Sequence, residues 1–227
     1  MIPTRITYLY NSGFLIEAPE CDVLIDYYRG GFKPKRDKKL YTLASHSHGD
    51  HYSPSLRKFG GSGATYILSS DIRFDGDNVN YLSKGGVYED ENLRVDACGS
   101  TDAGISFLLK ISEKRVFHAG DLNNWHWKEE STPEEIAEAE LAYLAELEYI
   151  AGLSGRIDVV FFPVDPRLGS DYWLGALQFI KRIETVNFIP MHFGERYEKA
   201  NAFAEHARKY GANFIEIKRP GTIGEIL

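Results

Sequence analysis

The stretch TLASHSHGDHYSP, residues 42–54, carries three of the seven histidines in the 227-residue chain and begins inside an apolar run, LYTLA. In an extended backbone, residues two apart project to the same side, so His46, His48 and Asp50 can share one face. The glycine before Asp50 lets the chain turn, so that His51 can join them. The spacing therefore predicts that four side chains of this loop meet at one place.

These four side chains are typical metal ligands. Imidazole nitrogen and carboxylate oxygen bind zinc, iron or manganese at about 2.0–2.2 Å. Four such groups are more than one metal takes from one segment, which favours two neighbouring sites with metals about 3.5–4 Å apart. A polar surface loop with chance histidines is the alternative. The apolar strand before the loop and the scarcity of histidine elsewhere argue against it.

A two-metal cluster needs further ligands from distant segments, and two apolar runs end in suitable residues. VFHAGD contains His118 and ends with Asp121, and FIPMHFGE contains His192. Polar side chains that follow a buried strand reach the edge of a sheet, where they can meet in a cleft. An aspartate that caps its own turn is the alternative for Asp121. Because Asp121 occurs together with His192 and the first loop, a shared metal cluster is favoured over that alternative.

The composition predicts one α/β domain over residues 1–227. Apolar residues make up 43% of the chain, which is enough for a sizeable core. The formal charge of −7 disfavours a nucleic-acid partner, because such proteins usually present a basic face. The basic stretch KPKRDKK, residues 33–39, is the exception. It predicts either a solvated loop or a rim that attracts anionic substrates.

Cysteine usage and the N-terminal residues predict a soluble cytoplasmic protein. Cys21 and Cys98 are far apart and form no CxxC pair, which disfavours a disulfide framework and favours a reducing compartment. The N-terminal residues lack a basic segment followed by a long apolar stretch, so no signal peptide is predicted. No run of eighteen apolar residues predicts a membrane span.

The predicted elements are strands first and strands alternating with helices later. Short runs rich in β-branched and aromatic residues predict strands at 4–10, 13–18, 22–28, 40–45, 64–70, 93–98, 105–112, 114–120, 157–164, 187–193 and 213–218. Helices are predicted at 131–152, 172–183 and 198–210. The first helix has Ser131 or Thr132 as its N-cap and ends at Gly152. This order predicts sheets covered by helices in one domain.

The order and spacing of HSHGDH, HAGD and MHF resemble the metallo-β-lactamase superfamily of hydrolases over nearly the whole chain. LIDYY, with Asp26, resembles that family's early strand ending in aspartate. The resemblance is closest to compact members such as the ascorbate-phosphate lactonase-like branch. It implies a four-layer αββα sandwich that binds one or two zinc ions, with manganese or iron as alternatives. The implied metal ligands are His46, His48, Asp50, His51, Asp121 and His192.

The chain departs from the family pattern where a middle histidine normally stands. In CGSTDAGISF, residues 98–107, Ser100 occupies that position. The site built on His46 and His48 therefore lacks its third imidazole, whereas the other site is complete by sequence. Three alternatives stay open. An oxygen from Ser100 or Asp102, or a water, supports a weaker metal; only the complete site binds metal; or the cleft is a non-catalytic binding pocket.

Two further segments carry candidate residues. In DLNNWHWKEE, His126 stands between Trp125 and Trp127, and predicts either a packed, hydrogen-bonded histidine or a substrate contact, acid or substitute ligand with an apolar wall beside it. In FFPVDPRLG, Asp165 predicts either a turn aspartate before proline or a carboxylate that orients a ligand histidine.

These residues predict hydrolysis of a small substrate by a metal-activated water. Asp50 is expected to bind metal and orient the nucleophile, Asp121 to bridge the two metals or anchor one, and His126 to assist catalysis. The substrate is a lactone, ester, amide or phosphodiester, and Arg167 favours an anionic one. The alternative is a non-catalytic, metal-dependent binding or sensor protein; redox chemistry at a di-iron site ranks third. No membrane partner is expected, and the oligomeric state stays open.

Overall fold

Two seven-stranded mixed sheets form the centre of the computed structural model, which describes residues 4–35 and 37–226. The first sheet consists of β1 (Thr4–Tyr10), β2 (Gly13–Glu17), β3 (Cys21–Ile25), β4 (Lys39–Ala44), β5 (Thr65–Ser69), β6 (Val79–Leu82) and β14 (Gly221–Ile226). Its order is β14-β1-β2-β3-β4-β5-β6. Strand β1 pairs antiparallel with β14 and with β2, and β2 pairs antiparallel with β3. The strands from β3 to β6 pair parallel.

The second sheet repeats this plan with the remaining strands. It consists of β7 (Val87–Glu89), β8 (Leu93–Cys98), β9 (Ser106–Ile111), β10 (Lys114–His118), β11 (Ile157–Pro163), β12 (Thr185–Met191) and β13 (Asn213–Phe214). Its order is β13-β12-β11-β10-β9-β8-β7. The strands from β7 to β10 pair antiparallel, and those from β10 to β13 pair parallel.

The sheets pack face to face through aromatic and branched side chains. Phe14 of β2 and Phe161 of β11 meet with their ring centroids 4.2 Å apart, and both are fully buried. Four helices cover the other face of the second sheet: α1 (Pro133–Ser154), α2 (Leu174–Arg182), α3 (Tyr197–Asn201) and α4 (Ala204–Lys209). Phe162 of β11, for example, packs against Phe179 of α2 at 5.0 Å.

The outer face of the first sheet is covered by a 3-10 helix, Pro54–Ser62, and the loop after β5. Leu56 and Phe59 of that helix are buried against Leu24 and Leu68 of the sheet. The structure is therefore the predicted αββα sandwich, with one thin outer layer. No helix among residues 4–35 and 37–226 is long and apolar enough to cross a membrane.

The long helix begins where the sequence predicted but ends later. Oγ1 of Thr132 caps it by accepting from the N–H of Glu135, and the Glu135 carboxylate accepts from the N–H of Thr132. The predicted end at Gly152 is wrong, since α1 continues to Ser154 and ends at Gly155, which has φ 56°. A glycine inside a helix costs only about 1 kcal/mol, whereas a left-handed end residue favours glycine.

The other corrections concern the middle of the chain, the C-terminal part and the end of β3. Strands β6 and β7 were not predicted. The predicted helix 198–210 is two short helices, α3 and α4, and the predicted strand 213–218 pairs only over β13. The glycine-containing strand β14 was not predicted, and its backbone pairs with β1. The predicted strand 22–28 ends at Ile25, because Asp26 turns the chain with φ 46°. That turn has a role in the site.

Candidate metal centre

The predicted ligands meet at one edge of the two sheets. The histidine loop follows β4, Asp121 follows β10, and His192 follows β12. Their ligand atoms form two groups, in each of which all atoms lie within 4.8 Å of one another. The groups are His46, His48 and Asp121, and Asp50, His51 and His192.

Asp121 connects the two groups because its two oxygens face different histidines. Its Oδ1 lies 3.0 Å from Nε2 of His51 and 3.3 Å from Nε2 of His192. Its Oδ2 lies 3.4 Å from Nε2 of His46. One carboxylate therefore offers an oxygen to each of two positions, which is the arrangement of a bridging ligand.

The second group, with Oδ1 of Asp121, forms a site with four ligand atoms, called here the four-ligand site. Oδ2 of Asp50 lies 3.6 Å from Nε2 of His51 and 3.5 Å from Nε2 of His192. A tetrahedral ion with bonds of about 2.0–2.1 Å holds its ligand atoms roughly 3.3–3.4 Å apart. The observed separations of 3.0–3.6 Å fit such an ion.

Buried atoms without partners also fit a cation. Nε2 of His46, Nε2 of His51 and Oδ1 of Asp121 are buried, and none has a hydrogen-bond partner among the described residues. An unpaired polar group in the interior is costly. An ion in the four-ligand site would satisfy Nε2 of His51 and Oδ1 of Asp121, and a second ion beside His46 and His48 would satisfy Nε2 of His46. The residues present therefore fit a metal.

The first group, with Oδ2 of Asp121, forms the three-ligand site. His46 is buried and His48 is exposed, and their ring centroids lie 4.6 Å apart. Three protein ligands plus an open position are typical of catalytic zinc sites. The three ligand atoms that remain without an imidazole at Ser100 therefore fit a candidate site with one open position.

Asp26 holds the ligand histidines of both sites. Its Oδ2 accepts a hydrogen bond from Nδ1 of His51 at 2.7 Å and one from Oγ of Ser45 at 2.8 Å. Oγ of Ser45 in turn accepts from Nδ1 of His46 at 3.0 Å. Both histidines therefore keep a proton on Nδ1 and direct Nε2 at the cluster, where a metal ion would take the place of any Nε2 proton.

His192 has its own carboxylate. Its Nδ1 donates to Oδ2 of Asp165 at 3.0 Å, and Arg167 donates from Nε to the same oxygen at 2.8 Å. Asp165 also caps its turn by accepting from the backbone N–H of Arg167. Asp165 is therefore both a turn aspartate and a carboxylate that orients His192, so the two alternative interpretations apply together.

Asn11 was not predicted, yet it joins the two halves of the four-ligand site. Its Nδ2 donates to Oδ2 of Asp50 at 3.1 Å, and its backbone carbonyl accepts from the N–H of His192 at 3.1 Å. Its Oδ1 accepts from the N–H of Gly194 at 3.3 Å. The sequence NSG gave only a turn signal, because none of these contacts is local.

Backbone strain is concentrated around this centre. Asn11, Asp26, Trp127 and His192 have positive φ values of 53°, 46°, 38° and 61°. Each such non-glycine residue costs of order 1–3 kcal/mol and persists only where its surroundings fix it. The hydrogen bonds described above supply that support for Asn11, Asp26 and His192.

The carboxylates raise the pKa values of the ligand imidazoles in the metal-free protein. Burial lowers the pKa of His51, but Asp26 and Asp121 outweigh burial and raise it to about 10. Burial likewise lowers the pKa of His192, and the hydrogen bond with Asp165 contributes to a net rise to about 9. Protons therefore occupy these imidazoles at neutral pH until a cation displaces them.

The imidazoles conversely keep the carboxylates ionised. The hydrogen bond with His192 lowers the pKa of Asp50 to about 2. Burial raises the pKa of Asp121, but His46 and His51 lower it far more, to well below its usual range. Both carboxylates are therefore charged over the whole physiological range, as metal ligands must be.

His118, which the HAGD run carries, is not available as a ligand. Its Nε2 donates to the carbonyl of Ser12 at 2.9 Å, and its Nδ1 accepts from the N–H of Gly120 at 3.1 Å. Burial lowers its pKa, so the ring is neutral with both nitrogens occupied. It packs beside Asp26, with Nδ1 3.9 Å from Oδ2.

Two cavities open onto the centre. One, of about 290 Å³, contains ligand residues and a wall of other side chains: His48, Asp50, Thr101, Asp102, Asp121, Trp125, Trp127, Arg167 and His192. The other, of about 330 Å³, is lined by residues that include Asn11, Phe193, Glu195 and Arg196. Both share Asp50, Arg167 and His192. A substrate held there can extend to either side of the four-ligand site.

The structure does not bring His126 into the cleft, so its predicted roles as acid, substrate contact or substitute ligand are wrong. The residue is buried, its Nδ1 accepts from the N–H of Lys128, and its Nε2 donates to the carbonyl of Asp171. Neither nitrogen is left for substrate or metal. The packed alternative is what the structure shows.

Ser100 and Asp102 do not join the metal cluster. Oγ of Ser100 accepts from the N–H of Asp102 at 3.4 Å, and Ser100 does not line the cavity. Asp102 lines the cavity but lies outside the group of mutually close ligand atoms. The prediction that either residue supplies an oxygen ligand is therefore wrong. Asp102 lies in the wall of the cavity, and Ser100 lies in the loop behind it.

The basic stretch does not form a rim either. Lys35 pairs with Glu17 and Lys38 pairs with Asp22, each at 2.7 Å. None of residues 33–35 and 37–39 lines either cavity, and Arg36 lies outside the described residues. Among the described residues, the arginines that line the cavities are Arg167, which lines both, and Arg196, which lines the second.

An αββα sandwich with a histidine–aspartate cluster at one sheet edge defines the class of metallo-hydrolase folds. The sequence profile of the Beta-lactamase superfamily domain matches residues 5–192. The chain therefore belongs to the metallo-β-lactamase superfamily.

Relatives and solved structures agree with this membership. A UPF0173 metal-dependent hydrolase of Desulforamulus reducens is 24% identical over 253 aligned positions, covering 96% of this chain and 97% of the relative. Igni18, a metallo hydrolase from Ignicoccus hospitalis, superposes with a TM-score of 0.69 at 18% identity over 97% of each chain. CmlA, a diiron β-hydroxylase from Streptomyces venezuelae, gives 0.66 at 12% identity over 96% of this chain and 53% of its own. The two structural likenesses show the fold.

Proposed function

We propose that the chain is a metal-dependent hydrolase whose two neighbouring metal sites share Asp121. The observation that supports this most is the division of the Asp121 oxygens between His46 on one side and His51 and His192 on the other. The name metal-dependent hydrolase carried by the relative from Desulforamulus reducens agrees with it.

A bound divalent cation would supply Lewis acidity and a water that loses its proton near neutral pH. Asp50 is the residue best placed to orient that water. Its side chain is 45% exposed and lines both cavities. Asn11 holds Oδ2 by a hydrogen bond, and the lowered pKa keeps the carboxylate an acceptor. We assign Asp50 both ligand and catalytic roles.

The four-ligand site is proposed to fill first and the three-ligand site second. The donor atoms are nitrogen and oxygen only, which suits zinc and also manganese or iron. Zinc is the first choice, because the separations match tetrahedral coordination. CmlA shows that the same fold can carry iron in another protein.

The substrate is proposed to be a small molecule with a lactone, ester, amide or phosphodiester bond. The cavities hold about 290 and 330 Å³ on the two sides of the shared residues. Arg167 places a positive charge where they meet, which supports an anionic group on the substrate. The two separated, buried and free cysteines support a reducing cytoplasm as the location.

A second candidate is a metal-dependent sensor without turnover, which the Ser100 replacement favours. Metal content by elemental analysis and turnover of chromogenic ester, lactone and phosphodiester panels with zinc, manganese and iron separate the two. The hydrolase predicts about two metals per chain and turnover that is lost in Asp121→Ala but kept in Asp75→Ala, an exposed control. Tight metal binding with no turnover on any panel would favour the sensor.

A further inference from the structure

Two of the chain's three tryptophans line the 290 Å³ cavity at the metal centre. The rings of Trp125 and Trp127 are within 14° of parallel, with centroids 6.2 Å apart. Both are half-buried, so each ring leaves part of its surface open to the cavity. The two stacked rings form an apolar part of the cavity lining, called here the tryptophan wall.

The tryptophan wall is attached to the metal centre itself. Nε1 of Trp125 donates to the carbonyl oxygen of Asp121 at 2.7 Å, and its ring lies 5.7 Å from the ring of His192, nearly edge-on. Any group that packs on this ring is therefore next to the four-ligand site. A shift of the wall would be felt at the bridging residue.

The loop that carries the wall is fixed from behind. Nε2 of His126 donates to the carbonyl of Asp171, and Nζ of Lys128 pairs with the Asp171 carboxylate. Oε1 of Glu129 accepts from the N–H of Ser170 at 3.1 Å. These contacts offset the positive φ of Trp127 and keep its ring in the cavity.

The remaining wall of the cavity is polar. Thr101, Asp102 and Arg167 line it together with the metal ligands, and Oγ1 of Thr101 is already bound to the Asn123 backbone. The apolar surface available to a substrate in this cavity therefore comes from the tryptophan wall. Flat rings gain an additional stacking contribution on such a surface that saturated rings do not.

We propose that the substrate carries a planar aromatic ring attached directly to the scissile group, and that this ring stacks on the tryptophan wall. The proposal rests on the hydrolase function proposed above and narrows its substrate class to aryl esters, lactones or amides. His126 acts in it as a positioning residue that fixes the wall without touching substrate.

Two probes of matched size and charge test the proposal: 2-naphthoate and decahydro-2-naphthoate, titrated calorimetrically into the zinc-loaded protein. Any contact of their carboxylates with metal or Arg167 is common to both, so the difference reports stacking. We expect 2-naphthoate to bind about three- to tenfold more tightly. Equal affinities, tighter binding of the saturated probe, or no detectable binding of either at millimolar concentration would overturn the proposal.

Variants locate the effect. Trp127→Leu should abolish the preference for 2-naphthoate, whereas Trp127→Phe should retain most of it. Trp173→Phe removes the tryptophan that stacks on His206 outside the cavity, and it should keep the preference for 2-naphthoate. In that variant the remaining tryptophans are those of the wall, so fluorescence quenching reports binding at the wall. A preference that survives Trp127→Leu refutes the wall as its source.

Metal content and turnover of an acyclic ester, measured on the same variants, separate this proposal from the hydrolase itself. Two metals per chain and Asp121-dependent turnover, with no preference between the probes, would refute the stacking proposal and leave the hydrolase function standing. Loss of metal binding or turnover in the parent protein would refute the hydrolase. His126→Ala should raise KM for an aryl ester more than it lowers kcat, at unchanged metal content.

Discussion

Asp26→Asn is expected to weaken both metal sites, whereas Asp165→Asn should weaken only the four-ligand site. Asp26 holds His51 directly and His46 through Ser45. Asp165 contacts only His192 among the ligands. The two substitutions are equal in chemistry and differ in which ligands they release, so they form a matched pair.

The magnitude follows from the contacts that the amide cannot replace. Oδ2 of Asp26 accepts from Ser45 and His51, and Oδ1 accepts from the Ser45 N–H at 2.7 Å. An NH₂ group in either position faces a donor. Loss of such outer partners typically lowers metal affinity about 10–100-fold, or about 1.4–2.7 kcal/mol. The free energy of unfolding should fall by about 2–4 kcal/mol as well.

Competition with a chromophoric chelator measures the two stepwise zinc affinities. Asp22→Asn is the control. Asp22 is also a buried aspartate, four residues before Asp26, but it pairs with Lys38 and not with a histidine of the site. It should change stability without changing either affinity. An Asp26→Asn protein with one affinity unchanged, or an Asp165→Asn protein with both reduced alike, would refute the assignment of these carboxylates.

Two further outcomes follow from the titration and packing of the site. His51 and His192 have pKa values raised from 6.5 to about 10 and about 9 in the metal-free fold. Their contribution to stability is therefore complete below pH 6.5 and is lost as pH rises through 9–10. Thermal melts should show the chelated protein losing stability over that range relative to the zinc-loaded protein, and a flat difference would contradict the shifts. Gly104→Ala should lower the free energy of unfolding by roughly 2 kcal/mol or more, measured in urea. Gly104 has φ 67°, and a Cβ there would overlap the Ser45 carbonyl and crowd His46. A free energy of unfolding within about 0.5 kcal/mol of the parent would show that the loops move apart easily.

The sequence predicted which side chains gather at the sheet edge, because their signal is local; their role as metal ligands stays a prediction. HSHGDH places its polar side chains on one face by backbone geometry alone, and Asp121 and His192 follow strands whose apolar runs are plain to read. Chain order then brings the ends of β4, β10 and β12 to one edge. The alternation of apolar runs predicted sheets covered by helices, and the family resemblance implied the four-layer αββα arrangement. The structure and the family membership confirm this fold.

What the sequence could not give are the contacts between segments distant in the chain. Asn11 reaches Asp50 across 39 positions and Gly194 across 183, so NSG resembles any turn. His126 illustrates the converse: its place between two tryptophans suggested chemistry, but the backbone turns its ring away and presents its neighbours instead. Strand β14 contains two glycines and forms through pairing with β1 rather than through propensity.

Anomalous diffraction at the zinc absorption edge from crystals of the zinc-loaded protein tests the central claim most directly. The shared carboxylate predicts two peaks about 3.5–4 Å apart, one on each side of Asp121, with the stronger peak among Asp50, His51 and His192. A single peak remote from Asp121, or zinc bound only to surface histidines, would contradict a common centre built from the three strand ends.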